Sequence, residues 1–245
     1  MKVYDFKQGE VLFFNKPLKW TSFQVVKQVR YFLAKRLGME TRRLKVGHAG
    51  TLDPLASGVM IVCTGKATKK IEEFQYHTKE YIAELCLGAT TPSYDMEHPV
   101  DATYSTAHIT RELVEETLKK FVGRIEQIPP KYSACNVDGK RAYLRARKGE
   151  DVVLKPKTLI IDEIELLDFA PDAIKIRVVC SKGTYIRALA RDIGEALQSG
   201  AYLTSLVRTR VGDVTLEDCL EPQGFETWLA AQELQPAETD EKLFN

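Results

Sequence analysis

The chain has 245 residues, with 35 Lys plus Arg against 34 Asp plus Glu and 44% apolar residues, which excludes an acidic or basic tail protein and allows a sizeable core without metal or disulfide staples. The five cysteines, 63, 86, 135, 180 and 219, are odd in number and widely spaced, with no CxxC pair, so no zinc or redox site is expected and a reducing compartment fits. The formal charge of +1 hides an asymmetry: nine basic residues and one acidic from residue 16 to 45, but nine acidic and one basic from 213 to 245, and it is this distribution, not the sum, that governs nucleic-acid binding.

Residues 11–14 (VLFF) read as a short strand ended by Asn15-Lys16-Pro17. Thr21 or Ser22 then caps a helix with Phe23, Val26, Val29 or Arg30, and Leu33 on its apolar face and Lys27, Arg30 and Arg36 outside. A basic linker at 41–45 leads into residues 47–54, a glycine-containing irregular loop that its surroundings must hold, ahead of a strand at 59–63. Residues 81–87 alternate as a strand does, and so do 159–167 and 173–180, the last with Ile174, Ile176 and Val178 on one side. Thr110 caps a helix bearing Leu113, Val114, Leu118 and Phe121, and Ile186, Leu189, Ile193 and Leu197 mark another. Residues 91–109 and 129–157 are polar, interrupted by prolines, and read as surface excursions that grip a partner. Beyond Leu216 the chain turns acidic, with Phe225, Trp228 and Leu229 suited to one short docking helix. The pattern is mixed α and β without a regular βαβ repeat. No apolar stretch approaches the roughly 20 residues that span a bilayer, and MKVYDFKQGE lacks a signal-peptide core, so no membrane association is expected and the cytoplasm is the expected location.

Few residues here suit chemistry. Asp53, followed by Pro54, is either a turn or cap residue or a carboxylate held rigidly for nucleophilic or proton-transfer work. His48 is either a hydrogen-bonded structural histidine or a group that stacks on nucleic acid. Arg187 lies in SKGTYIR, where a strand passes into a helix; it makes a structural ion pair, contacts a phosphate, or orients the Asp53 carboxylate. Tyr81 and Tyr185 are core aromatics or faces that stack on a base drawn out of its helix, and Leu206 would close such a pocket against water. Lys27, Arg30, Lys35 and Arg36 solvate a helix face or meet phosphates.

Six segments resemble the TruB family of tRNA pseudouridine synthases. GEVLFFNKPLKWTS (9–22) is similar to the family opening, with Lys19 where glycine is often found; VGHAGTLDPLASGVMIVCTGKATK (46–69) is the most specific match. KEYIAELCLGATTPSYD (79–95) carries Gly88, Thr90 and Asp95 in its second half, and IEQIPPKYSACNVDGKRAY (125–143) precedes a basic excursion. SKGTYIRALARDIG (181–194) and GAYLTSLVRTRVG (200–212) complete the set, the last with Tyr202 where histidine is frequent and Val207-Arg208 for a frequent Arg-Arg pair.

The resemblance implies conversion of uridine 55 in the tRNA T loop to pseudouridine, with Asp53 as the catalytic carboxylate, Arg187 as its partner, Tyr81 and Tyr185 against the base, Ile186 and Leu206 confining it, and His48 engaging the T loop. It implies the pseudouridine synthase α/β (α+β) fold: a mixed, mainly antiparallel sheet with a central cleft, a catalytic domain over 1–216 with an insertion at about 90–155, and a short acidic extension over 217–245 in place of a full PUA domain. Phosphate contacts are expected from Lys19, Lys27, Arg30, Arg42, Arg43, Arg141, Arg145 and Arg147. No cofactor or metal is implied, and the expected partner is the tRNA T arm, met by a monomer without an obligate protein partner. Two alternatives are a tRNA-binding or tRNA-folding protein, and a guide-dependent pseudouridine synthase acting on other RNA.

Overall fold

A computed structural model describes residues 2–133, 135–137, 140–146, 148 and 153–235. The chain divides into two compact units, Met1–Gln75 with Asp213–Asn245, and Tyr76–Gly212.

In the first unit β1 (Val11–Lys16), α1 (Ser22–Arg36), β2 (Val46–Ala49) and β3 (Ser57–Thr64) follow in order. β3 is antiparallel to β1, from Val11↔Cys63 to Lys16↔Gly58, and to β2, from Val46↔Thr64 to Ala49↔Ile61. Consecutive strand residues point to opposite faces, and β3 is buried without a break from Gly58 to Thr64, so both of its faces are covered. β1 alternates instead, turning Leu12, Phe14 and Lys16 inward; the strand runs on through Asn15 and Lys16, where the sequence predicted its end.

Thr21 caps α1 through a capping box with Gln24: its hydroxyl accepts from the Gln24 N–H at 3.1 Å, and its own N–H donates to Gln24 Oε1 at 2.6 Å. The buried stripe of α1 is Val25, Val26, Val29 and Leu33. Phe23 was expected on that face but is 64% exposed, because it lies roughly 100° round the helix from the centre of the stripe. Arg30, on the flank, is half-buried rather than exposed, and its Nη2 donates to the Val46 carbonyl at 2.8 Å. The core is completed by Phe225 and Leu229 of the short helix Phe225–Ala230, with the Phe225 ring edge-on to Phe14 at 5.3 Å. Full burial of a phenylalanine contributes about 1.5–3 kcal/mol, enough to hold that helix down. Val3–Tyr4 pairs in parallel with Glu233–Leu234.

In the second unit β4 (Lys79–Leu87), α2 (Arg111–Lys119), β5 (Gly123–Gln127), β6 (Lys157–Ala170), β7 (Ala173–Cys180), α3 (Ile186–Ala196) and β8 (Ala201–Val211) build a sheet of order β8-β4-β7-β6-β5, antiparallel at every pair. On β4 the odd-numbered positions from Lys79 to Leu87 are buried and the even ones half-exposed, and directly opposite them Ile174, Ile176 and Val178 of β7 share the buried face. α3 packs on β8 and buries Ile186, Leu189 and Ile193, and α2 lies against β6 with Val114 and Leu118 buried. The chain is thus mixed α/β with mainly antiparallel strands.

The segment at 91–109 is less of an excursion than its polarity suggested. Ala89–Thr90 pairs with Ala102–Thr103, and Thr91, Ser93 and Asp95 are buried, because their short polar side chains bond within the turn. No helix among the described residues is long and apolar enough to cross a membrane.

Candidate catalytic and RNA-facing residues

In the first unit His48 and Asp53 belong to one hairpin. The glycine-containing stretch is not irregular throughout: Val46–Ala49 is a strand, and His48 sits half-buried on it opposite Val62. The all-apolar β3 recruits this edge strand through its backbone, which a reading of side-chain alternation does not register. Gly50, at φ 93°, turns the chain out of β2 in a conformation that suits glycine. The loop at 51–56 then carries Asp53, half-buried, whose carbonyl accepts from the Ala56 N–H at 3.0 Å.

That loop is held on both sides of Asp53. Ser22 Oγ accepts from the Leu52 N–H at 2.9 Å and donates to the Leu52 carbonyl at 3.1 Å, while the Lys19 N–H donates to the Pro54 carbonyl at 2.7 Å. Lys19 has φ 67°, the left-handed region that favours glycine. Beneath this turn Lys16 is fully buried, its Nζ donating to the carbonyls of Pro17 at 2.9 Å and Trp20 at 2.6 Å.

In the second unit Tyr185, Ile186 and Arg187 stand at the start of α3. Tyr185 is the N-cap but has no side-chain cap bond of its own. The buried amide of Gln127, the last residue of β5, takes that part: Oε1 accepts from the Tyr185 N–H at 2.9 Å and Nε2 donates to its carbonyl at 3.2 Å. Arg187 is 4% exposed and donates to the carbonyls of Ser93 at 3.3 Å and Tyr132 at 2.9 Å, with Nε 3.7 Å from Asp95 Oδ2. Asp95 is itself placed by its turn: its carbonyl accepts from Thr91 Oγ1 at 2.7 Å and its Oδ1 from the Glu97 N–H at 2.9 Å. One turn further along α3, Arg191 lies 5.0 Å from the Tyr94 ring and donates to the Ile128 carbonyl at 3.1 Å. Two segments distant in sequence, 93–95 and 127–132, therefore brace the start of α3.

Tyr81 is buried on β4, opposite Val178 on one side and Arg208 on the other; Leu206 of β8 lies opposite Ala83, so Tyr81 and Leu206 share a face of neighbouring strands. Lys79, two residues before Tyr81, points to that same face and donates to the His77 carbonyl. Burial, reinforced by the nearby Arg208, lowers its amine to about 8. Burial also raises the Cys63 and Cys180 thiols to about 11, keeping them protonated.

Of the expected phosphate contacts, Lys19 and Lys27 are exposed, and Lys27 lies in a groove of about 350 Å³ with Trp20, Tyr31 and Phe32. Arg42 and Arg43 are exposed and share Glu40, at 2.6 and 3.8 Å. Arg145 is half-buried in the short helix Ala142–Ala146; only the backbone of Arg141, in a two-residue strand, is described, and Arg147 lies outside the described residues. Arg43 also joins Lys7, Lys45, Lys66 and Lys69 around a cavity of about 360 Å³ with no carboxylate among the described residues of its lining. Those lysines come from separate segments, so sequence order did not reveal the cluster. Asp95, Gln127, Lys79 and Arg208 were likewise given no role, and Ser22 only that of an alternative cap, which Thr21 takes instead; for Asp95 and Gln127 the available signal was a charged or amide side chain inside an otherwise apolar or turn-forming motif. Among the described residues no three His, Cys, Asp or Glu side chains gather in a group that could hold a metal ion.

Residues 35–186 match the family model of the TruB family pseudouridylate synthase N-terminal domain. The tRNA pseudouridine synthase B of Phocaeicola vulgatus is 73% identical over 231 residues, covering 94% of this chain and 97% of that one. Its counterpart of the same name in Bacteroides thetaiotaomicron is 72% identical over 235 residues, with the same coverage of 94% and 97%. A solved H/ACA RNP bound to a substrate RNA containing 2′-deoxyuridine has a chain 27% identical with a TM-score of 0.64, covering 91% of this chain and 54% of that one, so this chain spans about half its length.

Proposed function

The chain belongs to the TruB family of pseudouridylate synthases, and from that premise we propose that it isomerises a uridine of tRNA, position 55 of the T loop, to pseudouridine. The observation that carries this reading is the 73% identity to a tRNA pseudouridine synthase B over nearly the whole of both chains; the anchoring of the Asp53 loop, with a carboxylate held between two backbone tethers, supports it. In the reaction the N1–C1′ bond breaks, the uracil turns, C5 bonds to C1′, the C5 proton leaves and N1 gains one, so product and substrate are isomers. Neither a redox equivalent nor a nucleoside triphosphate enters that balance.

Asp53 is the carboxylate of the exchange, by attack at C1′, by addition to the base, or by removing a sugar proton. Arg187 orients it; Tyr81 stacks on the flipped base, Tyr185 contacts it, and Ile186 and Leu206 keep the detached uracil from water. His48 supports the rearranged T loop. The exposed cations among Lys19, Lys27, Arg42, Arg43 and Arg145 meet phosphates, while loop shape and pocket fit select the uridine. The catalytic domain extends over 1–216, and the enzyme acts as a monomer in the cytoplasm without an obligate protein partner.

The test uses purified protein and unmodified tRNA: pseudouridine forms at the T-loop site, and Asp53→Asn abolishes it while tRNA affinity is retained. Wild-type turnover by Asp53→Asn would overturn the assignment. The second reading is action with a guide RNA, for which the likeness to a chain of an H/ACA RNP supports only work within an RNA–protein assembly; turnover of tRNA by the purified chain alone decides against it.

A further inference from the structure

The two hydroxyls at the start of α1 do different work. Thr21 is the N-cap, and its hydroxyl serves the helix by accepting from Gln24. Ser22 is relieved of that duty, is 3% exposed, and turns its hydroxyl onto a residue thirty positions away. There it accepts from the N–H and donates to the carbonyl of the same residue, Leu52, at 2.9 and 3.1 Å. A hydroxyl can do both at once because it has one proton and two lone pairs. With both main-chain polar groups of Leu52 bonded to one oxygen, rotation of the peptides flanking Leu52 is opposed at each end. The Leu52 side chain is itself 4% exposed, packed inward, so the residue is fixed by its side chain and its backbone together.

The next residue is Asp53. On its other side Pro54 is tied to the Lys19 N–H at 2.7 Å, a main-chain bond that no side-chain change at 19 removes directly. The Ser22 clamp is a tether that a single side chain supplies. Leu52 lies in the segment 46–69 and Ser22 ends the segment 9–22, so the clamp joins two segments that the sequence presents as separate.

We propose that Ser22 is a positioning residue for Asp53: its hydroxyl sets the backbone from which the carboxylate projects, and so acts on the rate of the chemical step rather than on RNA affinity. This rests on Asp53 being the catalytic carboxylate. A misplacement of about 1 Å at a reacting group costs on the order of 10²-fold in rate. The loop keeps its Lys19 tether, so a loss of roughly 10- to 100-fold is the expectation for Ser22→Ala.

The experiment measures single-turnover pseudouridine formation at saturating tRNA, tRNA dissociation constants and thermal melting for wild type, Ser22→Ala, Ser22→Thr and Asp53→Asn. Val29→Ala, which thins the buried face of α1 away from the loop, reports the effect of destabilising the same helix. The expected result is a rate about 10- to 100-fold down in Ser22→Ala with tRNA affinity within about threefold of wild type, recovery of most of the rate in Ser22→Thr, and a far smaller rate loss in Val29→Ala at comparable melting temperature. A Ser22→Ala rate within about threefold of wild type, or no lower than that of Val29→Ala, overturns the clamp while leaving the proposed function standing if Asp53→Asn is inactive. Should Ser22→Thr fold poorly, the contrast between Ser22→Ala and Val29→Ala still decides. Full activity in Asp53→Asn removes the carboxylate the clamp is said to place, and the proposal with it.

Discussion

Asp95→Asn tests the brace on α3 most directly. The pair with Arg187 is buried on both sides, side chains 8% and 5% exposed, at 3.7 Å. At that separation, in a medium of effective dielectric near 20, two unit charges attract by about 4 kcal/mol. Removing one partner of such a buried pair costs about 3–5 kcal/mol, because the other charge stays in the interior with its desolvation less well offset. Asparagine keeps an oxygen for the Glu97 N–H, and Arg187 keeps the carbonyls of Ser93 and Tyr132, so the low end, about 3 kcal/mol, is expected. For a chain of this size, a melting-temperature fall of about 6–12 °C follows. Urea unfolding of wild type, Asp95→Asn, Arg187→Met and the double variant supplies the coupling energy, expected above about 1.5 kcal/mol. A single-variant loss below about 1 kcal/mol, or additivity within about 0.5 kcal/mol, would refute the reasoning.

Other expectations rest on single side chains. Lys19→Gly should relieve a left-handed backbone that costs a side-chain-bearing residue about 1–2 kcal/mol, offset by the roughly 0.5–1 kcal/mol that glycine's freedom costs on folding, for a net gain near 0.5–1 kcal/mol by urea unfolding; a loss of stability would contradict it. Gln127→Leu leaves the Tyr185 N–H without its acceptor and should cost about 1–3 kcal/mol, with hydrogen exchange at the first turn of α3 speeding up accordingly; unchanged exchange there counts against the cap. Lys79 is lowered to about 8 when folded from an ordinary 10.5, so the unfolded chain binds more protons between those values and stability from this group rises with pH through that window, by up to roughly 3 kcal/mol. The difference between wild type and Lys79→Met across that range reads out the effect together with its coupling to the facing Cys180, while Cys63, raised to about 11, acts in the opposite sense in both proteins and cancels; a pH-independent difference would dismiss it. Charge reversal at Lys45 in the basic cavity should weaken tRNA binding and lower its salt slope by about one, and an unchanged slope would exclude the cavity from the contact.

Much of the fold was legible. β4, β6 and β7 follow from alternation because each buries one face, and the cap of α2 from Thr110 ahead of an apolar stripe, since those signals are local. β2 was not, because an edge strand of four residues is made by pairing with β3 rather than by its own side chains. The outward Phe23 was missed for a related reason: which flank of an amphipathic helix is covered depends on what packs there. Asp53, His48 and Arg187 stood out through motif residues, but the company Arg187 keeps did not, since Asp95 and Tyr132 lie 92 and 55 positions away.

By itself the sequence determined the family, the alternating strands and their buried faces, and the residues most suited to chemistry, because propensity, periodicity and motif identity are carried in neighbouring positions. Only the tertiary structure decided which groups hold those residues still. Ser22 reaches Leu52, Gln127 reaches Tyr185 and Asp95 reaches Arg187 because buried polar groups must find partners wherever the packed chain brings them, and that requirement is met in space with no trace in sequence spacing.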